Sequence, residues 1–361
     1  MPARGKIRAR AAELRAMFEA EGAQPVETNV LQPAEVLLDL YGEDIRGRAY
    51  VTSDTLRGEQ MLRPDFTVPV VQMHMEHGAE PARYTYSGQV FRRQEDDASK
   101  DNEYTQVGYE VFDRENPAAA DAEVFALIQS VVAPLGLRAA TGDIGVLMAA
   151  VQGLETSARR KAALMRHIWR PRRFRALIER FAGRAPVPAS RSALLAKADP
   201  MAIDAPMIGM RSEAEIAARI EALREDAETP PLSAGQVEML EALLGVRETL
   251  PFALEHLRDI TVDMPAITEA VFRIKDRMEA LAARGVDVDA LEFETSYGRT
   301  QMEYYDGFVF GFYAEGRHDM PPVATGGRYD ALTRVLGQGR EIPAVGGVIR
   351  PGLMLQLEGV L

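Results

Sequence analysis

Apolar side chains recur at Ile7, Ala11, Leu14 and Phe18, which is the spacing of one buried stripe on a helix across residues 7–21. Residues 23–112 then mix strands with turns. The clearest signal there is an aromatic, alternating run carrying Tyr84, Tyr86, Val90 and Phe91, a polar loop from Gln94 to Glu103, and a second alternating run from Tyr104 to Phe112. This pattern predicts a hairpin with a long charged loop and a basic pair, Arg92 and Arg93, at its mouth. Residues 118–135 predict a helix, with Asn116 as its cap and Pro117 in its first turn. Residues 155–284 are rich in Ala, Leu, Arg and Glu and broken by short Pro- and Gly-containing loops (Ala185–Ser190, Thr229–Pro231). They read as a helical insertion. From Val286 strand patterns return, at Phe293–Tyr297 and Glu303–Tyr313, followed by glycine-rich turns. Strands split by a helical insertion predict an α+β fold, not a doubly wound one: a discontinuous core of 1–154 and 285–361 around the insertion 155–284.

Composition narrows the class. A chain of 361 residues, 47% hydrophobic and 27% charged, fits a soluble globular protein with a sizeable core. The absence of Cys excludes disulfides, thiolate metal sites and cysteine nucleophiles. The five His residues form no ligand pattern, so no metal site is expected. No apolar run approaches the roughly 20 residues that span a bilayer. The basic N-terminus MPARGKIRAR is followed by no apolar core, so neither a secretory signal nor a membrane association is expected, and the expected compartment is the cytoplasm. A net charge of −12 argues against nucleic acid as the main partner. One segment, Arg159–Arg184, holds ten Lys or Arg against the single acid Glu179. It reads as a solvated helix face in preference to a partner patch.

Candidate chemistry concentrates in the hairpin and near the C-terminus. Gln106, Gly108 and Glu110 fall on one strand face because side chains alternate. A Gln and a carboxylate flanking a glycine, with open space above Gly108, suggest a pocket for a small polar, cationic ligand; the alternative is an exposed sheet face with solvated polar residues. Tyr304 and Tyr305 are expected within a strand, one ring on each side, with two hydroxyls near a pocket as the sharper reading. The run Thr325-Gly326-Gly327-Arg328-Tyr329-Asp330 has the paired glycines of a close approach but lacks the Lys and Ser/Thr of a phosphate-binding loop.

Five segments stand in order along the chain: MLRPDFT (Met61–Thr67), the FRR hairpin with TQVGYEVF (Phe91–Phe112), MEYYDGFVF (Met302–Phe310), GGRYD (Gly326–Asp330) and PAVGG (Pro343–Gly347). Together they resemble the catalytic core of the histidyl-tRNA synthetases, over about residues 5–150 and 285–350. The resemblance implies a class II synthetase-like antiparallel sheet flanked by helices, with a helical insertion. It also implies a histidine pocket: Asp65 and Thr67 at the α-amino group, Gln106 at the amino-acid backbone, Glu110 and Tyr305 at the imidazole nitrogens with Tyr304 beside them, Tyr329 lining the ring, and Arg92 at the carboxylate or phosphate. A carboxylate and a phenol on opposite sides of an imidazole can satisfy both nitrogens.

Departures from the family pattern bear on catalysis. Thr300 stands where the family has an arginine three residues before the acid that aligns with Glu303. Leu353 replaces the arginine that grips ATP, and Gln94 replaces the motif 2 glutamate. Adenylyl transfer rests on such cations. The sequence runs to Leu361 without the anticodon-binding domain of the synthetases. A kept amino-acid pocket with lost catalytic groups resembles the regulatory subunits of ATP phosphoribosyltransferase, which serve the first step of histidine biosynthesis. That resemblance implies a non-catalytic chain with histidine as an allosteric ligand and no cofactor. It implies the short catalytic subunit as partner in a hetero-octamer, and a homodimer through the core, although Asn29 replaces the proline of the usual dimer motif. No tRNA is expected as a partner. The alternative is a synthetase-like amino-acid-adenylating enzyme.

Overall fold

A computed structural model of the chain describes residues 2–41, 45–94, 101–202, 208–299 and 304–360. Twelve strands are described: β1 (Gln24–Pro25), β2 (Leu31–Pro33), β3 (Val51–Asp54), β4 (Gly58–Leu62), β5 (Ala82–Phe91), β6 (Glu103–Phe112), β7 (Arg138–Asp143), β8 (Arg247–Thr249), β9 (Glu292–Glu294), β10 (Phe308–Tyr313), β11 (Ala324–Arg328) and β12 (Ala344–Ile349). Nine form one sheet in the order β1-β5-β6-β12-β11-β10-β7-β9-β8, and β2-β4-β3 form a small second sheet. The six central strands, β5 to β7 in that order, are antiparallel throughout. Parallel pairing is confined to β1–β5 and β7–β9. The architecture is the expected α+β sheet flanked by helices.

The predicted hairpin is β5–β6, with Tyr86 opposite Gly108 and Tyr84 opposite Glu110. Residues 95–100 of its loop lie outside the described residues. The N-terminal helix, Pro2–Ala20, buries Ala11, Leu14 and Phe18 as their spacing predicts, with Ile7 half-buried. It packs on β5 and β6, and the Phe18 ring lies 5.3 Å from that of Tyr109.

The helix Pro117–Val132 starts as predicted: Asn116 accepts a hydrogen bond from the Ala119 N–H at 3.0 Å, and Pro117 occupies the first turn. Contrary to the sequence expectation, Pro117–Leu135 is long and apolar enough to cross a membrane by length and composition. In the fold it serves as a core helix. Val124, Phe125, Ile128 and Val132 are buried against the sheet, and the Phe125 ring sits 5.3 Å from both Phe310 and Phe312.

The same helix carries a buried acid. Asp121 accepts from Arg277 Nε at 2.8 Å and from Arg328 Nη2 at 2.7 Å, and Arg277 Nη2 donates to Asp143 at 2.7 Å. All four side chains are buried. Burial alone would push the Arg277 guanidinium down, but Asp143 and Asp121 outweigh it and hold its pKa above the usual value.

This network involves the end of the helical run 155–284. Helices from Ala158–Arg166 through Thr268–Ala283 occupy most of 155–284. However, β8 adds an edge strand to the main sheet, and Thr268–Ala283 packs on Pro117–Val132 with Arg277 inside the core. The non-local ion network ties the end of the helical run to the core helix and to the end of β7.

Most cations of the basic segment are exposed, as a solvated face requires, and acids on the helix Glu213–Glu228 pair with some of them and with Arg191 beyond the segment. Asp226 accepts from Arg160 at 2.7 Å, Arg180 at 2.6 Å and Arg191 at 2.7 Å, and Arg159 pairs with Glu225 at 2.8 Å. Burial pushes the Asp226 carboxyl up, but the hydrogen bonds from these three arginines overcome it and hold it well below the usual range. Part of the positive charge is therefore matched within the chain.

Removing one member of a buried ion network leaves the others uncompensated. Asp121→Ala is expected to lower stability by about 3–5 kcal/mol, read as a reduced midpoint in urea unfolding. An unchanged midpoint would show that the network contributes nothing net.

Candidate functional site

A cavity of about 1080 Å³ opens beside β6 and β12, and Asp65, Arg92, Gln106, Tyr304, Tyr305 and Arg350 are among its lining residues. Five of the eight expected site residues thus share one wall. Thr67, Glu110 and Tyr329 are not on it; they form a buried network with one further residue, Tyr86.

Glu110 is the centre of that network and is 1% exposed. Its Oε1 accepts from Thr67 Oγ1 at 3.0 Å and from the Tyr86 hydroxyl at 2.8 Å, and its Oε2 accepts from the Tyr329 hydroxyl at 2.6 Å. Burial pushes the Glu110 carboxyl up to about 7; the hydroxyls of Tyr329, Tyr86 and Thr67 pull it down, and the charge of Asp65 pushes it up again. Burial, then the neighbouring Glu110, raises the phenols of Tyr86, Tyr305 and Tyr329 above their usual range.

Backbone register makes room for this carboxylate. Gly346 of β12 lies opposite Glu110, and a Cβ there would sit 1.4 Å from Glu110 Oε2. Only glycine fits. The expected open space above Gly108 does not exist: a Cβ at 108 would meet the Tyr86 ring, because Tyr86 stands opposite Gly108 and covers it. Sequence reading missed Tyr86 as a site residue, although an aromatic facing a glycine across a hairpin is the available signal. Tyr86 is in turn stacked on Phe66, with ring centroids 4.4 Å apart.

Tyr304 and Tyr305 correct a second expectation. They precede β10 and are not in a strand, so their rings do not fall on opposite faces. The two rings meet edge-on at 4.9 Å, and Tyr304 lies 6.0 Å from Tyr329. Both line the cavity.

The remaining wall groups come from the segment before helix Thr67–His77 and from the hairpin. Asp65 Oδ1 accepts from the Val68 N–H at 3.4 Å, and Arg92 Nε donates to the Pro64 carbonyl at 2.8 Å. Gln106 is 1% exposed, and among the described residues its Oε1 has no hydrogen-bond partner. Leu353 also lines the cavity, so the wall is apolar where the synthetases carry a cation. Gln94 is exposed and donates to the Asp101 carbonyl at 3.1 Å. Thr300 and Glu303, on which a further departure rests, lie outside the described residues. Among the described residues no cluster of His, Cys, Asp or Glu could hold a metal ion.

An acid, an unpaired buried amide oxygen, phenols and guanidinium groups around one cavity are suited to a small zwitterion. The amide oxygen and acid fit an ammonium, and the guanidinium groups fit a carboxylate.

The Glu110 network makes a pH-dependent prediction. Tyr329→Phe removes one donor to the carboxylate and is expected to cost about 1–3 kcal/mol where Glu110 is ionised. An acid whose folded pKa stands above its unfolded value, here about 7 against 4.5, loses stability as pH rises between those values. The lost donor raises the folded value further, so the penalty should be larger at pH 8 than at pH 5. Urea unfolding at the two pH values checks this; an equal penalty at both would mean the hydroxyl does not serve the ionised form.

Comparison with known proteins follows this geometry. The family model described as histidyl-tRNA synthetase matches residues 2–228 and 213–351. The ATP phosphoribosyltransferase regulatory subunit of Brucella anthropi is 30% identical over 356 residues, covering 92% of this chain and 93% of that one. That of Brucella ovis is 29% identical over 353 residues, with 92% and 93% covered. Among solved structures, an ATP phosphoribosyltransferase regulatory subunit/histidyl-tRNA synthetase from Bacillus halodurans superposes with a TM-score of 0.68 at 21% identity, covering 98% of this chain and 79% of that one. A histidine–tRNA ligase subunit from Alicyclobacillus acidocaldarius gives 0.60 at 23%, with 98% and 93% covered. These structures share the class II synthetase-like fold. The chain belongs to the family of ATP phosphoribosyltransferase regulatory subunits, built on the histidyl-tRNA synthetase fold.

Proposed function

We propose that this regulatory, non-catalytic chain binds histidine in the cavity at Gln106 and carries feedback inhibition to a short ATP phosphoribosyltransferase catalytic subunit, which it also activates. The observation that carries the reading is the wall itself: a buried, unpaired Gln106 Oε1 beside Asp65, Tyr304 and Tyr305. These are groups for an amino acid's ammonium and ring, while Leu353 sits where an ATP-gripping cation would be needed. The same apolar position speaks against the adenylating alternative. Assembly as a hetero-octamer with four copies of each chain, and as a homodimer through the core, completes the proposal.

A ligand on one chain governs catalysis on another only if it binds two arrangements of the assembly unequally. Glu110 gives histidine a way to do so. An imidazole reaching the carboxylate has to compete with its three hydroxyls, and Thr67, Tyr86 and Tyr329 reside on three different segments of the core.

Mixing the chain with the short catalytic subunit is expected to raise its turnover, and added histidine to lower it. Turnover that is indifferent to this chain, or to histidine once the complex has formed, would overturn the reading. For the site, Gln106→Leu keeps the volume and removes the acceptor. Calorimetry is expected to show histidine affinity lower by roughly 5- to 150-fold; unchanged affinity removes Gln106 from the site.

A further inference from the structure

Leu353 stands where the resembling family carries a cation, but another cation, Arg350, lines the same cavity. Arg350 follows β12, where Ile349 pairs with Val107, so the register continues toward Gln106. Strand side chains opposite one another share a face, and Arg350 and Gln106 both line the cavity. Gln106 is four residues from Glu110, about 13 Å along the strand, so Arg350 belongs to the opposite end of the site from that carboxylate.

The Arg350 side chain is half-buried, and among the described residues its guanidinium makes no hydrogen bond or ion pair. It lies over the Tyr104 ring, 5.0 Å from the centroid, and the Arg92 guanidinium approaches the same ring at 5.9 Å. Burial pushes the Arg350 pKa down, Tyr104 partly offsets this, and repulsion from Arg92 lowers it further. Two of the acids on the cavity wall are already matched elsewhere, Glu103 with Arg4 at 3.6 Å and Asp319 with Arg317 at 2.8 Å. A half-buried cation beside a second cation, with neither an acid nor a carbonyl to answer it, is costly unless an anion joins it.

We propose that Arg350, together with Arg92, forms an oxyanion-recognising end of this cavity that takes a carboxylate or a phosphate group. Planar guanidinium groups suit both anions, and each can be held by two parallel hydrogen bonds. The unpaired Gln106 oxygen next to it would take the ammonium of a zwitterion, so an α-amino acid satisfies both groups at once. The amino-acid form of this inference rests on the histidine reading above; the phosphate form does not.

Calorimetry on the full chain separates the sources, with histidine, histidinol and inorganic pyrophosphate as ligands for the wild type and Arg350→Gln. Loss of a charge-assisted contact is expected to lower affinity about tenfold or more. A loss for histidine but not for histidinol, which has no carboxylate, identifies the carboxylate. A loss for pyrophosphate identifies the phosphate. Equal binding of all three ligands by the wild type and the variant, or equal losses for histidine and histidinol without pyrophosphate binding, overturns the proposal. If Arg350→Gln does not fold, Arg350→Lys keeps the charge but not the paired donors, and is expected to bind the responsive ligand more weakly than wild type; full affinity in that variant refutes guanidinium recognition. Wild-type binding of pyrophosphate without histidine would refute the histidine reading and leave this one standing. Normal histidine binding in Arg350→Gln, with no pyrophosphate binding, does the reverse.

Discussion

The site depends on keeping one carboxylate, Glu110, in the middle of a sheet. A buried carboxylate is costly unless its oxygens are hydrogen-bonded. Here three hydroxyls answer it, from the first turn of a helix (Thr67), from the neighbouring strand (Tyr86) and from the residue after β11 (Tyr329). Meeting that demand fixes the relative positions of three segments far apart in sequence. It also explains Gly346: any side chain there would collide with the carboxylate oxygen. Burial keeps the carboxyl near neutrality, although the three hydroxyls pull it toward the acidic range.

A second buried charge cluster supports this frame from the other side of the sheet. Asp121 and Asp143 hold Arg277 and Arg328, and Arg328 immediately precedes Tyr329. The hydroxyl that reaches Glu110 is therefore placed by a strand end that is itself pinned to the core helix. The same cluster joins Thr268–Ala283 to that helix. The Glu110 network, the sheet and the end of the helical run are thus joined through the adjacent residues Arg328 and Tyr329.

Local patterns were legible in the sequence. The stripe Ala11, Leu14, Phe18, the Asn116 cap and the β5–β6 hairpin all rest on spacing within a few residues, and each appears where spacing puts it. What the sequence hid is non-local. Tyr86 covers Gly108 only because of the hairpin register, and Asp226 answers Arg160 and Arg180 from another helix. Arg277 reaches into the core across 156 residues of sequence to Asp121. Tyr304 and Tyr305 were misplaced for a related reason: alternation presumes a strand, and the chain turns before β10 starts. Of the expected site residues, Asp65, Arg92, Gln106, Tyr304 and Tyr305 do meet around one cavity. Glu110, Thr67 and Tyr329 lie in a layer beneath it, which no one-dimensional pattern distinguishes.

A structure of the chain crystallised with histidine tests the central claim most directly. The account predicts the amino acid in the cavity, its ammonium within hydrogen-bond distance of Gln106 Oε1 or Asp65 and its ring turned toward Tyr305 and Glu110, with at least one of the three hydroxyls displaced from the carboxylate. Histidine bound elsewhere on the chain, with the Glu110 network unchanged, would contradict it.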